Sequence, residues 1–424
     1  MNHFEARDGA LACESVPLAR VAEAVGTPAY VYSTATLVRH VQVFREAVAG
    51  LGPPAPIVAY AVKANSNLSV LKTLFRLGVW ADTVSEGEIR RALAAGLEPG
   101  RIVFSGVGKT DAELAFAVDS GVAEINVEAE PELDRLSAVA GAKGARQPIA
   151  IRVNPDVAAG GHAKIATGQA DAKFGVSLSE AARLYKKASN LPGVRPLGVA
   201  CHIGSQIADL SAFEVAARTM RGLVESLRRQ GLAVERLDMG GGLAVPYFNQ
   251  PDPPSPVAYA SALARVFNGL DIQLAFEPGR LIVANAGVLL ARVIHVHERP
   301  EGRRFLVLDA AMNDLVRPAM YEAYHELRPV IEPARDTPRL AFDVVGPVCE
   351  TGDTFARERL LPPLKAGDFV AFMSAGAYGA VMASEYNSRL LVPEVLVDGD
   401  RFAVVRPRPT YEQMLAAEPI APWL

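Results

Sequence analysis

Short apolar runs rich in Val, Ile and Ala recur along the first two thirds of the chain, separated by longer segments of helical period. The runs are Ile57 to Lys63, Val79 to Thr83, Ile102 to Ser105, Glu124 to Val127, Ile149 to Val153, Leu197 to His202, Leu237 to Met239 and Leu274 to Glu277. Short apolar runs alternating with helical segments predict parallel strands with crossover helices, and eight of them predict an α/β fold, a closed (β/α)8 TIM-type barrel. Asp111 to Ser120 reads as a helix capped by Thr110 or Asp111 and stopped by Gly121, and Ser179 to Asn190 as one capped by Ser179. A further helix, Ala35 to Ala49, precedes the first run.

After Arg280 the pattern changes to strand-like runs without long helices: Phe305 to Asp309, Leu340 to Val345, Asp368 to Met373, and Glu394 to Val405 folded about Asp398-Gly399-Asp400. These predict a separate C-terminal β-domain, a sandwich or barrel. Strand-like residues at the start of the chain, Tyr30 to Tyr32 among them, are expected to complete it, because chain ends often pair in space. The expected division is residues 32–280 for the barrel and 1–31 plus 281–424 for the β-domain. The Gly- and Ala-rich stretch Asn154 to Ser177 lacks a clear period and is expected to be a mobile loop over the barrel mouth.

Composition narrows the functions. Half of the 424 residues are hydrophobic and 21% are charged, so a substantial core is expected and disorder is excluded. Lys and Arg number 43 against 47 Asp and Glu, and a net charge of -4 provides no global attraction for nucleic acid. Cys13, Cys201 and Cys349 form no CxxC pair and join no His/Cys cluster at zinc spacing, so neither a disulfide framework nor a metal site is expected. Glu5, Asp8 and Glu14 stand where a signal peptide would be basic and then apolar. The longest apolar stretch, Leu281 to Val296, is broken by Asn285, Gly287, Arg292 and His295, too polar for a membrane span. A soluble, cytoplasmic protein with no membrane partner is expected.

Polar groups gather at the C-terminal ends of the runs: Lys63, Asp82 with Ser85, Ser105, Asn126, Arg152 with Asn154, His202 with Ser205, the Gly240-Gly241-Gly242 turn and Glu277. Barrel enzymes place their chemistry on that rim, so one active site is expected there. Most lysines are solvated surface groups. A lysine ending a buried strand differs, because an ammonium kept from water loses proton affinity and becomes a nucleophilic amine suited to imine chemistry with an aldehyde. The glycine turn lets backbone N–H groups close on a phosphate, although such turns are also commonly structural. Neither standard nucleotide motif fits, since Val103 and Val245 stand where glycines would be needed. Glu277 and Arg280 can be a plain ion pair, or the carboxylate can hold a pyridine nitrogen protonated. His202 reads equally as a satisfied core histidine, and Ser85 as the cap of the next helix. Cys349, flanked by turn residues and charges, is either an inert thiol or an exposed proton donor.

Several motifs in one order resemble the fold-type III pyridoxal-phosphate enzymes, and within them the diaminopimelate decarboxylase family. They are Ala59-Tyr60-Ala61-Val62-Lys63-Ala64-Asn65, Ser85-Glu86-Gly87-Glu88, His202-Ile203-Gly204-Ser205-Gln206, Gly240 to Gly242, Glu277-Pro278-Gly279-Arg280, Cys349-Glu350-Thr351-Gly352-Asp353, and Tyr378, spanning nearly the whole chain. The resemblance implies pyridoxal 5'-phosphate as cofactor, with Lys63 carrying it, Glu277 at the pyridine nitrogen and His202 stacked on the ring. Ser205, the turn Gly240, Gly241 and Gly242, and the backbone of Gly279 and Arg280 would hold the phosphate, and Asp82 and Tyr378 would be further cofactor residues. Cys349 would be the proton donor. Cys349 and Glu350 would reach the neighbouring subunit's site, which implies a homodimer with shared sites.

The implied reaction is decarboxylation of meso-2,6-diaminopimelate to L-lysine and CO2, the last step of lysine biosynthesis. A substrate with a second amino-acid terminus needs a cationic clamp for its far carboxylate and an acid for its far ammonium. Arg280, Arg317, Tyr321 and Tyr378 match the family's clamp and Glu350 its ammonium partner. His162, Lys164 and Thr167-Gly168 resemble its lid segment, and Cys201 reads as a packing residue. Related decarboxylases acting on carboxynorspermidine, ornithine or arginine are the first alternative; the ornithine enzymes carry Asp after the matching Cys and lack the arginine clamp. A racemase would need a second catalytic base in place of the Cys349 segment, and a non-catalytic cofactor-binding relative would not need Lys63, Cys349 and Glu350 together.

Overall fold

The structure is a computed structural model describing residues 2–158, 168, 173–249, 251–334 and 336–424. It divides into two compact units. One comprises Val38–Pro246 and Asp252–Ile282, the other Met1–Leu37, Tyr247–Pro251 and Val283–Leu424.

The first unit is a closed barrel of eight parallel strands: β1 (Ile57–Ala61), β2 (Trp80–Thr83), β3 (Ile102–Phe104), β4 (Glu124–Val127), β5 (Gln147–Asn154), β6 (Val194–Ala200), β7 (Arg236–Asp238) and β8 (Gln273–Phe276). The circle closes where β8 pairs with β1, Ala275 opposite Ile57. Every residue of β1 is buried, as expected of a strand with barrel interior on one side and helices on the other. Local chemistry sets the helix ends. Thr110 caps Asp111–Ser120 in a reciprocal box with Glu113, and Gly121 ends that helix with a left-handed φ of 74°.

Two expectations need correction in this unit. The helix Leu178–Asn190 is capped by Ser177, whose side chain accepts the Glu180 N–H while Glu180 reaches back to the Ser177 backbone. Ser179 has no glutamate three residues on, so it cannot form that box. The first run also stops being a strand at Ala61: Val62–Ala64 is a 3-10 turn, and Lys63 lies on this turn beyond the strand. Of the proposed lid residues, His162, Lys164 and Thr167 lie outside the described residues.

The second unit is sheet-rich. Its central strand, Gly287–Glu298, pairs antiparallel with Ala29–Ser33, Phe369–Phe372 and Arg304–Leu308. Ala29–Ser33 in turn pairs in parallel with Glu394–Asp398, which folds back as a hairpin on Arg401–Arg406. The stretch weighed above as a membrane span is therefore largely this strand, apolar where it is covered by its neighbours. Leu11, Val16, Val31, Val288, Leu290, Val395 and Cys13 pack into one core, which makes Cys13 an inert thiol. No helix among the described residues is long and apolar enough to cross a membrane.

Candidate active site

Each barrel strand ends by delivering a polar group to the same rim. Lys63 Nζ stands 3.1 Å from Asp82 Oδ2 across the β1–β2 gap. The Asp82 carboxylate is wholly buried, whereas the Lys63 side chain is 36% exposed, so the amine is anchored by charge and is not dry. A cavity of about 430 Å³ opens beside it, lined by Lys63, Gly106, Lys109, Arg152, Phe174 and His202. The second lysine of this lining is saturated: Lys109 Nζ donates to Glu132 Oε1 at 2.6 Å and to the carbonyls of Gly106 and Asn126, each at 2.7 Å. Three hydrogens meet three fixed acceptors, which makes Lys109 structural. Ser105 and Asn126 likewise bond each other at 2.9 Å, and Ser85 caps its helix by accepting the Glu88 N–H.

Glu277 directly follows β8. Burial, reinforced by the nearby Asp238 and Asp82 carboxylates, pushes its carboxyl well above the usual carboxylate range, against the pull of Lys63 and Arg152. Its Oε1 atom is buried and has no hydrogen-bond partner among the described residues. Such an acid ionises readily only beside a cationic N–H donor. Asp238 is raised to about 7 by burial and by Glu124 and Asp82, although it accepts the Gly240 N–H at 2.7 Å.

The glycine turn is fixed by crowding. A Cβ on Gly241 would lie 2.2 Å from the Glu277 carbonyl oxygen, one on Gly240 2.5 Å from the Cys201 oxygen, and one on Gly242 2.4 Å from the Gly204 oxygen. The Gly241 N–H donates to His202 Nδ1 at 3.2 Å, which orients the ring and leaves its proton on Nε2. Burial and the positive charges of Lys63 and Arg152 push His202 well below its ordinary pKa, so the ring is neutral. With the Gly240 and Gly241 N–H groups engaged by Asp238 and His202, the turn can offer an anion chiefly Gly242. Ser205 Oγ accepts from Arg280 Nε at 3.3 Å and from Nη2 at 3.0 Å, so Arg280 is joined to the serine. Gly279 packs closely, its absent Cβ falling 3.0 Å from that of Ala61.

The barrel thus gathers Lys63, Asp82, His202, Ser205, Gly240 to Gly242, Glu277, Gly279 and Arg280. Arg317, Tyr321, Cys349, Glu350 and Tyr378 belong to the sheet unit. There Arg317 opens the short helix Arg317–Tyr321, and Tyr378 adopts a left-handed φ of 54°. Cys349 and Glu350 are exposed on the loop between strands Leu340–Val345 and Thr354–Leu361. Asp353 ties that loop by accepting the N–H groups of Val348 and Met312, each at 2.7 Å. The sequence reading did not find two holding residues: Asn387 accepts the Cys349 N–H at 3.0 Å, and Tyr386 donates its hydroxyl to Glu350 at 3.0 Å. Their only signal was a Tyr-Asn pair in a polar segment.

A lysine turned toward a cavity, an unmatched buried acid and a cradle with no room for side chains fit an aldehyde-bearing aromatic phosphate. These features define a barrel enzyme of the lysine-tethered, pyridoxal-phosphate class. A family model described as pyridoxal-dependent decarboxylase, pyridoxal binding domain, matches residues 34–284. A diaminopimelate decarboxylase of Zymomonas mobilis subsp. mobilis is 48% identical over 422 residues, 99% of this chain and 99% of that protein. One of Vibrio cholerae is 47% identical over 424 residues, 100% of each. The crystal structure of diaminopimelate decarboxylase from M. jannaschii in complex with L-lysine superposes with a TM-score of 0.94 at 34% identity, covering 100% of both chains. The chain belongs to the diaminopimelate decarboxylase family of pyridoxal-dependent decarboxylases.

Proposed function

We propose that this chain decarboxylates meso-2,6-diaminopimelate at its D-centre, yielding L-lysine and CO2 at the end of lysine biosynthesis. The observation that carries the reading is 48% identity, over 99% of both chains, to a protein named for that activity. Bound pyridoxal phosphate supplies an electron sink for the pair left when the carboxyl departs. Lys63 would hold the cofactor through its amine. Glu277 would hold a proton at the pyridine nitrogen, and neutral His202 would contact the ring. Gly242, Ser205 and the Gly279-Arg280 backbone would take the phosphate, with Asp82 and Tyr378 as further cofactor residues. Cys349 delivers a proton to the α-carbon.

Substrate choice rests on the second terminus. Arg317 and Arg280, with Tyr321 and Tyr378, take the distal carboxylate, and Glu350 takes the distal ammonium. Cys349 and Glu350 serve the site of a second copy, so the working form is a homodimer with shared sites, and it acts in the cytoplasm. The test is CO2 release with product analysis from meso-diaminopimelate, ornithine, arginine and carboxynorspermidine. L-Lysine from the first alone is expected. Faster turnover of a substrate without a distal carboxylate would overturn the reading, and sedimentation of the active enzyme as a monomer would overturn the shared site.

A further inference from the structure

Arg317 is buried, and its guanidinium is held by a histidine. Arg317 Nη1 lies 2.9 Å from His325 Nε2, and His325 Nδ1 lies 2.9 Å from the Met373 carbonyl oxygen. A carbonyl only accepts and a guanidinium only donates, so the ring carries its proton on Nδ1 and offers the Nε2 lone pair to Arg317. His325 is 3% exposed. Tyr247 walls the pair, its ring edge-on to the imidazole at 5.7 Å between centroids and 5.1 Å from the guanidinium carbon.

The ring is indexed to the sheet. The Met373 N–H donates to the Glu326 carbonyl at 2.8 Å, and Leu327 pairs with Phe372 in the adjoining ladder. The left-handed turn at Glu322 brings the chain from the Arg317 helix back to that ladder. A neutral imidazole fixes the direction of a guanidinium without neutralising it, which a carboxylate partner would do.

We propose that His325 is a positioning residue that aims Arg317 at the distal carboxylate of the substrate and so helps set selectivity for a dicarboxylic substrate; this rests on the clamp assigned to Arg317 above. The experiment uses the full-length, cofactor-loaded enzyme with meso-diaminopimelate and the variants Arg317→Ala, His325→Leu and His325→Gln. Glutamine can accept from Arg317 through Oε1 and donate to Met373 through Nε2. Loss of one charge-assisted hydrogen bond predicts a KM raised about 10- to 100-fold in His325→Leu, with a much smaller change in kcat and most of the effect reversed in His325→Gln.

A KM unmoved by Arg317→Ala would overturn the clamp reading itself. A KM raised by Arg317→Ala but unmoved by His325→Leu, or raised equally by His325→Leu and a folded His325→Gln, would overturn the role of His325. Should His325→Leu fail to fold, nitrogen-15 NMR of the wild-type holoenzyme decides. A protonated Nδ1 with an unprotonated Nε2, whose resonance moves in Arg317→Ala, supports the proposal; a proton on Nε2 overturns it.

Discussion

Asn387 accepts the backbone N–H of Cys349 at 3.0 Å, and Asn387 itself sits in a left-handed turn with φ 56°. The backbone that carries the thiol proposed to deliver a proton is therefore held by a side chain 38 residues downstream. Cys349→Ala is expected to cut kcat by about 100-fold or more, with the cofactor still bound, as for loss of a general acid. Asn387→Ala is expected to cut it by about 10-fold through misplacement, and to add little in the double variant. Steady-state kinetics and cofactor absorbance check both, and an unchanged kcat in Cys349→Ala removes that residue from the reaction.

Lys63→Ala removes the residue proposed as the tether. Turnover and the visible absorbance of protein-linked cofactor should both vanish, while Asp82 is left as a buried carboxylate without its cation. Lowered thermal stability of the cofactor-free variant is expected with these losses. Normal turnover would end the assignment of Lys63.

Gly241 and Gly222 test the crowding argument in opposite directions. Alanine at 241 places a methyl 2.2 Å from the Glu277 carbonyl oxygen. A stability loss of about 2 to 3 kcal/mol and weakened cofactor binding are expected. Gly222, inside the helix Leu210–Arg229, has nothing within 4 Å of its missing Cβ, so Gly222→Ala should stabilise by about 0.5 to 1 kcal/mol. Denaturant titration of both variants is the check.

The buried acids predict a pH signature. Asp238 and Glu277 are raised in the folded state, so the folded protein binds more protons than the unfolded chain between the ordinary carboxylate range and the raised values. Their favourable state is complete below about pH 4, and stability declines as pH rises toward about 7, where Asp238 titrates. Melting temperatures of the cofactor-free protein should fall across that interval, and Asp238→Asn should flatten the slope. Bound cofactor, whose cationic nitrogen is proposed to be held by Glu277, should also flatten it. A cofactor-free melting temperature that rises over the same interval in step with Asp238 ionisation would contradict the sign.

The barrel was legible because most of the runs are largely apolar and lead into a conspicuous polar group, a contrast that survives without coordinates. Lys63, His202 and Glu277 stood out for that reason. The supports did not. His325 acts on Arg317 eight residues away through a ring clamped by Met373, 48 residues further on, and neither periodicity nor spacing announces such a bond. Asn387 escaped notice for the same reason. That Gly240 and Gly241 spend their N–H groups on Asp238 and His202 follows only from how the strand ends converge. The Gly287–Glu298 strand was masked because its polar residues fall in its exposed C-terminal half, where the apolar stretch is interrupted.

The sheet unit places Tyr30 opposite Glu394 in a parallel pair. On a ribosome the barrel segment emerges in full before that partner is made, while the early strand Ala29–Ser33 waits with both edges bare until Gly287–Glu298 is made and with one edge bare thereafter. At about 5 to 20 residues per second the interval is roughly 20 to 70 s. Over that time an incomplete ladder is open to chaperones or to the same strand of another nascent chain. Shortening the chain before Glu394 should therefore leave a folded barrel tied to a half-built, adhesive sheet.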